Sequence, residues 1–181
     1  VWKLLFELMK AFITGRPGVG KSTVLREVML ILRDRGWRIG GIICPEIRRN
    51  GRRIGFEIVD VASNNRGILA STDIHGGPMV GRYYVNLRDL EEIAIPSIRK
   101  SMEEYDLTVI DEIGPMELKS RKFHDLVYEV LASDKSILAV LHKSLVETFS
   151  MRFSKIKVFE VNEINRRYIA KEIANYFVRR L

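Results

Sequence analysis

Cysteine is almost missing from this chain of 181 residues: Cys44 is the single one. One cysteine excludes an internal disulfide and is typical of a reducing compartment, so we expect a cytoplasmic location, with Cys44 buried in a strand. No apolar run approaches the about 20 residues of a membrane-spanning helix, and no membrane partner is expected. His75 and His124 lack cysteine or histidine neighbours at ligand spacing, which argues against a zinc site.

A secretory leader is also not expected. Residues 1–8 are mostly apolar, but they contain Lys3 and Glu7, and no small-residue cleavage site follows them. Met9 is the plainer natural start. We therefore interpret residues 1–8 as an N-terminal extension and residues 9–181 as a single domain, whose length allows a full hydrophobic core.

Positive charge exceeds negative charge, and the formal net charge is +7. Such a surface attracts nucleic acid, but a site for a polyanionic nucleotide also collects cations. The densest basic run, residues 48–53, surrounds Asn50 and Gly51 and has no aromatic residues between its arginines for base stacking. Nucleic acid is therefore a candidate partner that the sequence does not support further.

Residues 15–22, with the sequence GRPGVGKS, form a complete phosphate-binding P-loop. An apolar segment precedes it and a helix-forming segment follows it, which is the strand–loop–helix context that the motif requires. The glycines let the backbone direct successive N–H groups towards phosphate oxygens, and the helix N-terminus adds partial positive charge. Lys21 can reach the β- and γ-phosphates of a nucleotide, and the Ser22 hydroxyl can bind Mg²⁺. We predict that a nucleoside triphosphate is bound by Gly15, Arg16, Pro17, Gly18, Val19, Gly20, Lys21, Ser22 and Thr23.

A second motif ends the apolar segment 107–110 with two acidic residues, Asp111 and Glu112. An aspartate at the carboxyl end of a buried strand binds Mg²⁺ opposite the P-loop serine. In the additional-strand class of P-loop proteins, a glutamate directly after that aspartate polarises the attacking water. We therefore assign Asp111 and Ser22 to Mg²⁺, and Glu112 and Lys21 to catalysis.

Other charged residues leave alternatives open. Arg16, Arg82 and Lys143 could each neutralise charge that develops on the γ-phosphate, and the sequence does not choose among them. Glu117 either contacts the site from its loop or starts a helix.

The rest of the chain alternates between strand and helix patterns. Asn50-Gly51 lies between two strand patterns and predicts a β-hairpin inserted after the first βα unit. Residues 62–81 are polar and glycine-rich and are interpreted as a long loop. Strands are predicted at 11–13, 37–44, 54–60, 107–111, 136–141 and 157–161. The alternation predicts a three-layer α/β fold with a mostly parallel sheet.

Helices are predicted at 23–35 and 122–132. Three capping signals predict the starts of three further helices. Asn86 caps a helix that Pro96 kinks or shortens. Ser144 and Glu147 form a capping box for a short helix. Asn162 caps the last helix, which is expected to end at Arg179 and Arg180.

These motifs together resemble the small nucleoside-triphosphatases first described from thermophiles, whose human member is called cancer-related nucleoside-triphosphatase. The resemblance rests on residues 12–23, 46–48, 53–56, 80–86 and 90–96, and above all on VIDEIGPMEL at 109–118. It implies a P-loop fold of the additional-strand type with an inserted β-hairpin. It also implies slow, Mg²⁺-dependent hydrolysis of ATP, GTP, CTP and UTP to diphosphate and phosphate, with loose base preference. Carried over by position, residues 15–23 bind phosphate and metal, while Asp111 and Glu112 serve Mg²⁺ and water.

Two other functions use the same P-loop. In a kinase for nucleotides, polynucleotides or small molecules, the hairpin and residues 62–81 would form an acceptor pocket, although the chain has no obvious lid with paired arginines. In a nucleotide-gated module, the basic surface would bind nucleic acid. We predict the hydrolase, and the sequence leaves the oligomeric state open.

Overall fold

One central sheet organises the chain. The computed structural model describes residues 9–178, so the interpretation of residues 1–8 and the predicted helix end at Arg179 and Arg180 lie outside it. The strands are β1 (Lys10–Thr14), β2 (Ile39–Ile43), β3 (Glu46–Arg49), β4 (Arg52–Asp60), β5 (Arg66–Ser71), β6 (Met79–Val80), β7 (Tyr83–Val85), β8 (Leu107–Ile113), β9 (Ile137–Leu141) and β10 (Lys157–Glu160). The helices are α1 (Lys21–Asp34), α2 (Leu87–Asp89), α3 (Ile95–Glu104), α4 (Arg121–Ala132), α5 (Val146–Arg152) and α6 (Ile169–Val178).

Five strands form the parallel half of the sheet, in the order β10-β1-β9-β8-β2. Strand β9 lies between β1, the strand before the P-loop, and β8, the strand that contains Asp111, which is the additional-strand arrangement. All five residues of β9 are buried, as expected for a strand covered on both faces. One covering layer contains Leu25 of α1 and Ile173 of α6, and the other contains Ile98 of α3 and Phe123 of α4. The predicted three-layer α/β fold is therefore confirmed.

The other half of the sheet is antiparallel and begins where β4 pairs with β2. Strand β4 also pairs with β3 and β5, and β7 joins β5 to β6. Asn50 and Gly51 both have positive φ, 50° and 76°, which allows the tight turn between β3 and β4. The predicted hairpin is confirmed.

The prediction of one long loop at 62–81 is wrong in part. Strand β5 runs through this region, and the short β6 lies near its end. Leu69, Ala70 and Ser71 are buried, because they pack beside β4 in the core. The apolar part of β5 is too short to stand out among its polar and glycine-rich flanks, so its burial comes from tertiary packing.

The helix around Pro96 is continuous but locally widened. Asn86 caps it as predicted, since its side chain accepts the Asp89 N–H at 3.1 Å. A π-helical segment, Leu90–Ala94, joins α2 to α3, and Pro96 follows at the second position of α3. Proline has no N–H and clashes with the carbonyl four residues earlier, so the wide turn accommodates it without ending the helix.

Two other predicted helix starts are wrong in detail. The Ser144–Glu147 capping box does not form, because His142 Nδ1 accepts the Ser144 N–H and a 3₁₀ turn precedes α5. Asn162 does cap a turn, accepting N–H groups from Ile164 and Asn165, but that turn is a 3₁₀ segment. Helix α6 begins later, at Ile169.

Candidate active site

The P-loop connects β1 to α1 and is shaped by glycines. Gly15 has φ 147°, and a Cβ there would lie 2.5 Å from the Val161 carbonyl oxygen, so only glycine fits this close approach. Gly20 precedes α1 with φ 108°. Lys21 Nζ folds back and donates to the carbonyl oxygens of Gly15 (3.1 Å) and Arg16 (3.3 Å). The ammonium group is therefore held at the loop that would bind the phosphates.

Asp111 faces this loop from the end of β8. Ser22 Oγ donates to Asp111 Oδ1 at 3.1 Å, although the two residues are 89 positions apart. Asp111 is 3% exposed, and no residue within the described range hydrogen-bonds to its other oxygen, Oδ2. Burial raises the pKa of Asp111 to about 7, against the opposing effect of the Ser22 hydrogen bond. A hydroxyl and a buried carboxylate with an unpartnered oxygen are hard oxygen donors that fit Mg²⁺.

Glu112 is brought into the site by a bulge in β8. The pairing with β9 passes from Asp111–Val140 to Ile113–Leu141, which leaves Glu112 as an extra residue. Bulges redirect side chains and are frequent beside active sites. The Glu112 carboxyl lines the cavity described below, and burial raises its pKa while the charge of Lys21 lowers it.

Glu117 joins this group of acids and also starts a 3₁₀ turn, so both sequence alternatives hold. It is 3% exposed. A Cβ on Gly114 would lie 2.6 Å from Glu112 Oε1 and 3.1 Å from Glu117 Oε2, so the two carboxyl groups lie near the same point. Burial and the charge of Glu112 raise the pKa of Glu117 well above the usual range.

Cys44 lies one residue past the end of β2 and is only half-buried, so the expectation of a buried strand residue is wrong in detail. Burial raises the pKa of its thiol, and the acids Glu117, Asp111 and Glu112 add to this effect. The thiol is therefore protonated, as expected for a residue that is not a nucleophile.

One cavity of about 770 Å³ collects most of the predicted site residues. Its lining includes Pro17, Gly18, Gly20, Lys21, Ser22, Thr23, Asp111, Glu112 and Glu117. Gly15, Arg16 and Val19 belong to the same loop but do not line the cavity; Val19 packs in the core.

The three cations proposed from the sequence to neutralise phosphate charge lie outside this lining. Arg16 forms an exposed ion pair with Glu163. The Arg82 guanidinium donates to the Arg53 carbonyl and lies over the Tyr83 ring. Lys143 is exposed. Their predicted catalytic role therefore has no support from their positions.

Other cavity residues were not singled out from the sequence. Arg26 lies on α1 four residues after Ser22, and this helical spacing could have identified it. Arg48, Arg53 and Phe56 come from the hairpin. The sequence shows a basic run at 48–53 without interleaved aromatic residues, and only the folded hairpin brings these side chains into one cavity with the P-loop.

His142 follows β9 and also lines the cavity. Its Nδ1 accepts the Ser144 N–H and lies 2.8 Å from Ser144 Oγ. Burial and the charge of Lys21 lower its pKa. Its ring is therefore held neutral at the edge of the site.

No helix in residues 9–178 combines the length and apolar character needed to cross a bilayer.

Known proteins match this chain over most of its length. A family model described as NTPase matches residues 10–174. The nucleoside-triphosphatase THEP1 of Methanothermobacter thermautotrophicus is 49% identical over 158 residues, which are 87% of this chain and 90% of the relative.

Two solved structures share the fold. The crystal structure of THEP1 from Aquifex aeolicus gives a TM-score of 0.82 at 32% identity, covering 94% of this chain and all of the other. The solution structure of a human cancer-related nucleoside triphosphatase gives 0.76 at 34% identity, covering 92% and 96%. The resemblance found in the sequence is confirmed.

Proposed function

The chain belongs to the NTPase family, and from that premise we propose that it hydrolyses nucleoside 5′-triphosphates to diphosphate and phosphate in an Mg²⁺-dependent reaction. The observation that carries the proposal is one cavity lined by Lys21, the hydrogen-bonded pair Ser22–Asp111, and Glu112. Its relatives are named nucleoside-triphosphatase, a name that specifies no base, which supports ATP, GTP, CTP and UTP as alternative substrates.

Each residue has a distinct part in the reaction. The P-loop amides and Lys21, whose Nζ is held at the loop by the Gly15 and Arg16 carbonyls, would bind the β- and γ-phosphates. Ser22 and Asp111 would hold Mg²⁺, which supplies neutralising charge for the phosphates when bound. Glu112 orients a water molecule and accepts its proton as the water oxygen bonds to the γ-phosphorus. The bond from that phosphorus to the bridging oxygen breaks, and the diphosphate leaves.

The test is phosphate release from ATP, GTP, CTP and UTP by the wild type and by Glu112→Gln, with nucleotide affinity measured in parallel. We expect kcat to fall on the order of 10²–10⁴-fold while the nucleotide Kd is retained, because glutamine cannot accept the proton. Release should stop when EDTA removes Mg²⁺. Glu147→Gln, an exposed position outside the cavity, is the matched control and should remain active.

Near-normal turnover in Glu112→Gln would overturn the assignment of the general base. Tight nucleotide binding with almost no phosphate release in the wild type would overturn the hydrolase itself. It would favour a kinase, for which the cavity extends beyond the P-loop to Phe56, Leu69 and Val80.

A further inference from the structure

Arg53 is a cation on the hairpin that faces the same cavity as the catalytic groups. It lies at the start of β4, and the cavity lined by Lys21 and Glu112 includes it. In the sheet, the hairpin follows β2, the neighbour of β8, so it approaches from the side of Glu112. Since Glu112 would act at the γ-phosphate, the phosphate group on this side of the cavity is the terminal one.

The Arg53 guanidinium is held by side chains of β3 and β7. Its Nη1 donates to Glu46 Oε1 at 2.9 Å, and its Nε donates to Tyr83 Oη at 3.0 Å. Its Cζ lies 5.0 Å from the centre of the Phe56 ring and 5.8 Å from that of Tyr83. Tyr83 is 6% exposed, so one of the groups that hold the guanidinium is itself buried in the core. Within the described part of the chain no acceptor is bonded to Nη2, which leaves this donor available.

The other cavity arginines are less suited to bind a phosphate. Arg48 uses Nε and Nη2 on Glu46 and Nη1 on the Gly51 carbonyl, so all three of its nitrogens are engaged. Arg26 is exposed, and no ion pair fixes it among residues 9–178. Arg53 alone of the three combines a fixed guanidinium with a nitrogen that is free to donate.

We propose that Arg53 is a catalytic arginine supplied by the chain itself, whose Nη2 contacts the γ-phosphate and stabilises the charge of the transition state. Glu46 and Tyr83 are then positioning residues that hold the guanidinium. A donor already in place needs no reorganisation during the reaction, which is why fixed donors are effective. This inference rests on the proposed triphosphate hydrolysis and deepens it.

The first experiment compares Arg53→Ala and Arg53→Lys with the wild type in steady-state hydrolysis of ATP. We expect kcat to fall on the order of 10³-fold or more in Arg53→Ala, within the range for arginines that stabilise phosphoryl transfer. KM should change far less. Lysine should restore little, because a point charge does not reproduce the planar fork of donors. Arg49→Ala is the matched control: Arg49 is on the same hairpin but pairs with Asp73 outside the cavity, and kcat should be retained.

Chemical rescue separates this role from a structural one. Free guanidinium should raise the kcat of Arg53→Ala but not that of Glu112→Gln, since only the former lacks a guanidinium. Tyr83→Phe keeps the ring but removes the Oη that accepts from Arg53, so we expect an intermediate loss of kcat, with Tm lowered by no more than a few degrees.

Three results would overturn the proposal: full kcat in Arg53→Ala, a rise in KM with unchanged kcat, or failure of guanidinium to rescue a folded variant. If Arg53→Ala does not fold, full kcat in folded Arg53→Lys and Arg53→Gln decides against it. Failure of the proposed function looks different, because the wild type itself would then release no phosphate.

Discussion

The parallel and antiparallel halves of the sheet hold their functional groups in different ways. In the parallel half, Lys21, Asp111 and Glu117 are at most 9% exposed. In the antiparallel half, the side chains of Glu46, Arg48 and Arg53 remain 37–57% exposed, and both arginines pair with the one glutamate. Burial raises the pKa values of Asp111 and Glu117, whereas hydrogen bonds from Arg53 and Arg48 outweigh burial and lower the pKa of Glu46. The phosphate-binding half should respond to pH, and the hairpin should respond more to salt.

The largest expected difference concerns two glycines, one in each half. Gly41 in β2 has φ 106°, and a Cβ there would lie 2.0 Å from the Val109 carbonyl oxygen of β8. Gly51 in the hairpin turn has φ 76° but no atom close to its Cβ position. Gly41→Ala should lower the free energy of unfolding by roughly 3–5 kcal/mol, from overpacking plus left-handed strain. Gly51→Ala should cost only about 1–2 kcal/mol, from the strain alone.

Urea denaturation of both variants measures this difference. Equal losses would show that the two halves tolerate an added methyl group equally well, against the packing described here.

A smaller effect, of opposite sign in the two halves, is expected from neutralising one glutamate in each. The pKa of Glu117 is raised by burial, so stability is greatest below the usual glutamate pKa and falls as pH rises through the raised value. Glu117→Gln removes this loss and should raise Tm at pH 8 by a few degrees, an advantage that disappears near pH 4.

Glu46 should behave in the opposite way. Burial raises its pKa, but hydrogen bonds from Arg53 and Arg48 outweigh this effect and leave the pKa below the usual value. Its contribution is therefore present at neutral pH and lost as pH falls. Glu46→Gln should lower stability at pH 8 by no more than about 1 kcal/mol, since exposed pairs are screened by solvent. Calorimetry from pH 4 to pH 8 checks both signs, and two shifts of the same sign would contradict the comparison.

The smallest effect is expected at the outer side of the hairpin. Arg49 pairs with Asp73 at 2.6 Å, but the side chains are 63% and 44% exposed. Arg49→Ala should change the free energy of unfolding by less than about 0.5 kcal/mol, and less again in 0.5 M salt. Denaturation at two salt concentrations tests this, and a loss above about 1 kcal/mol would show that the outer pair supports the hairpin.

The strands and site residues of the parallel half could largely be predicted from the sequence, because the motifs that indicate them are local. The P-loop and the apolar run before Asp111 each depend on residues close in the chain. Glu112 was found in the same way, since it directly follows Asp111. The Asp111–Glu112 motif is typical of the additional-strand class, in which a further strand lies between the P-loop strand and the strand with the aspartate. The structure confirms this position for β9, between β1 and β8.

The antiparallel half was less readable because its contacts link distant positions. Arg53 depends on Tyr83, thirty residues later, and neither side chain indicates this pairing in the sequence. Strand β5 is recognisable only through its burial beside β4.

The predicted capping box at Ser144 is wrong for a local reason. The His142 ring accepts the Ser144 N–H, which is the backbone donor that the capping box would use.

The strands at the open edges of the sheet, in the described part of the chain, have a consequence for behaviour at high concentration. Strand β6 has two residues, β10 has four with Lys157 and Glu160 exposed, and β3 is Glu46–Arg49, in which three of the four residues are charged. A strand from another molecule would find few unpaired backbone groups on any of them, and on β3 and β10 it would also meet exposed charged side chains. These edges therefore protect the folded protein from edge-to-edge aggregation.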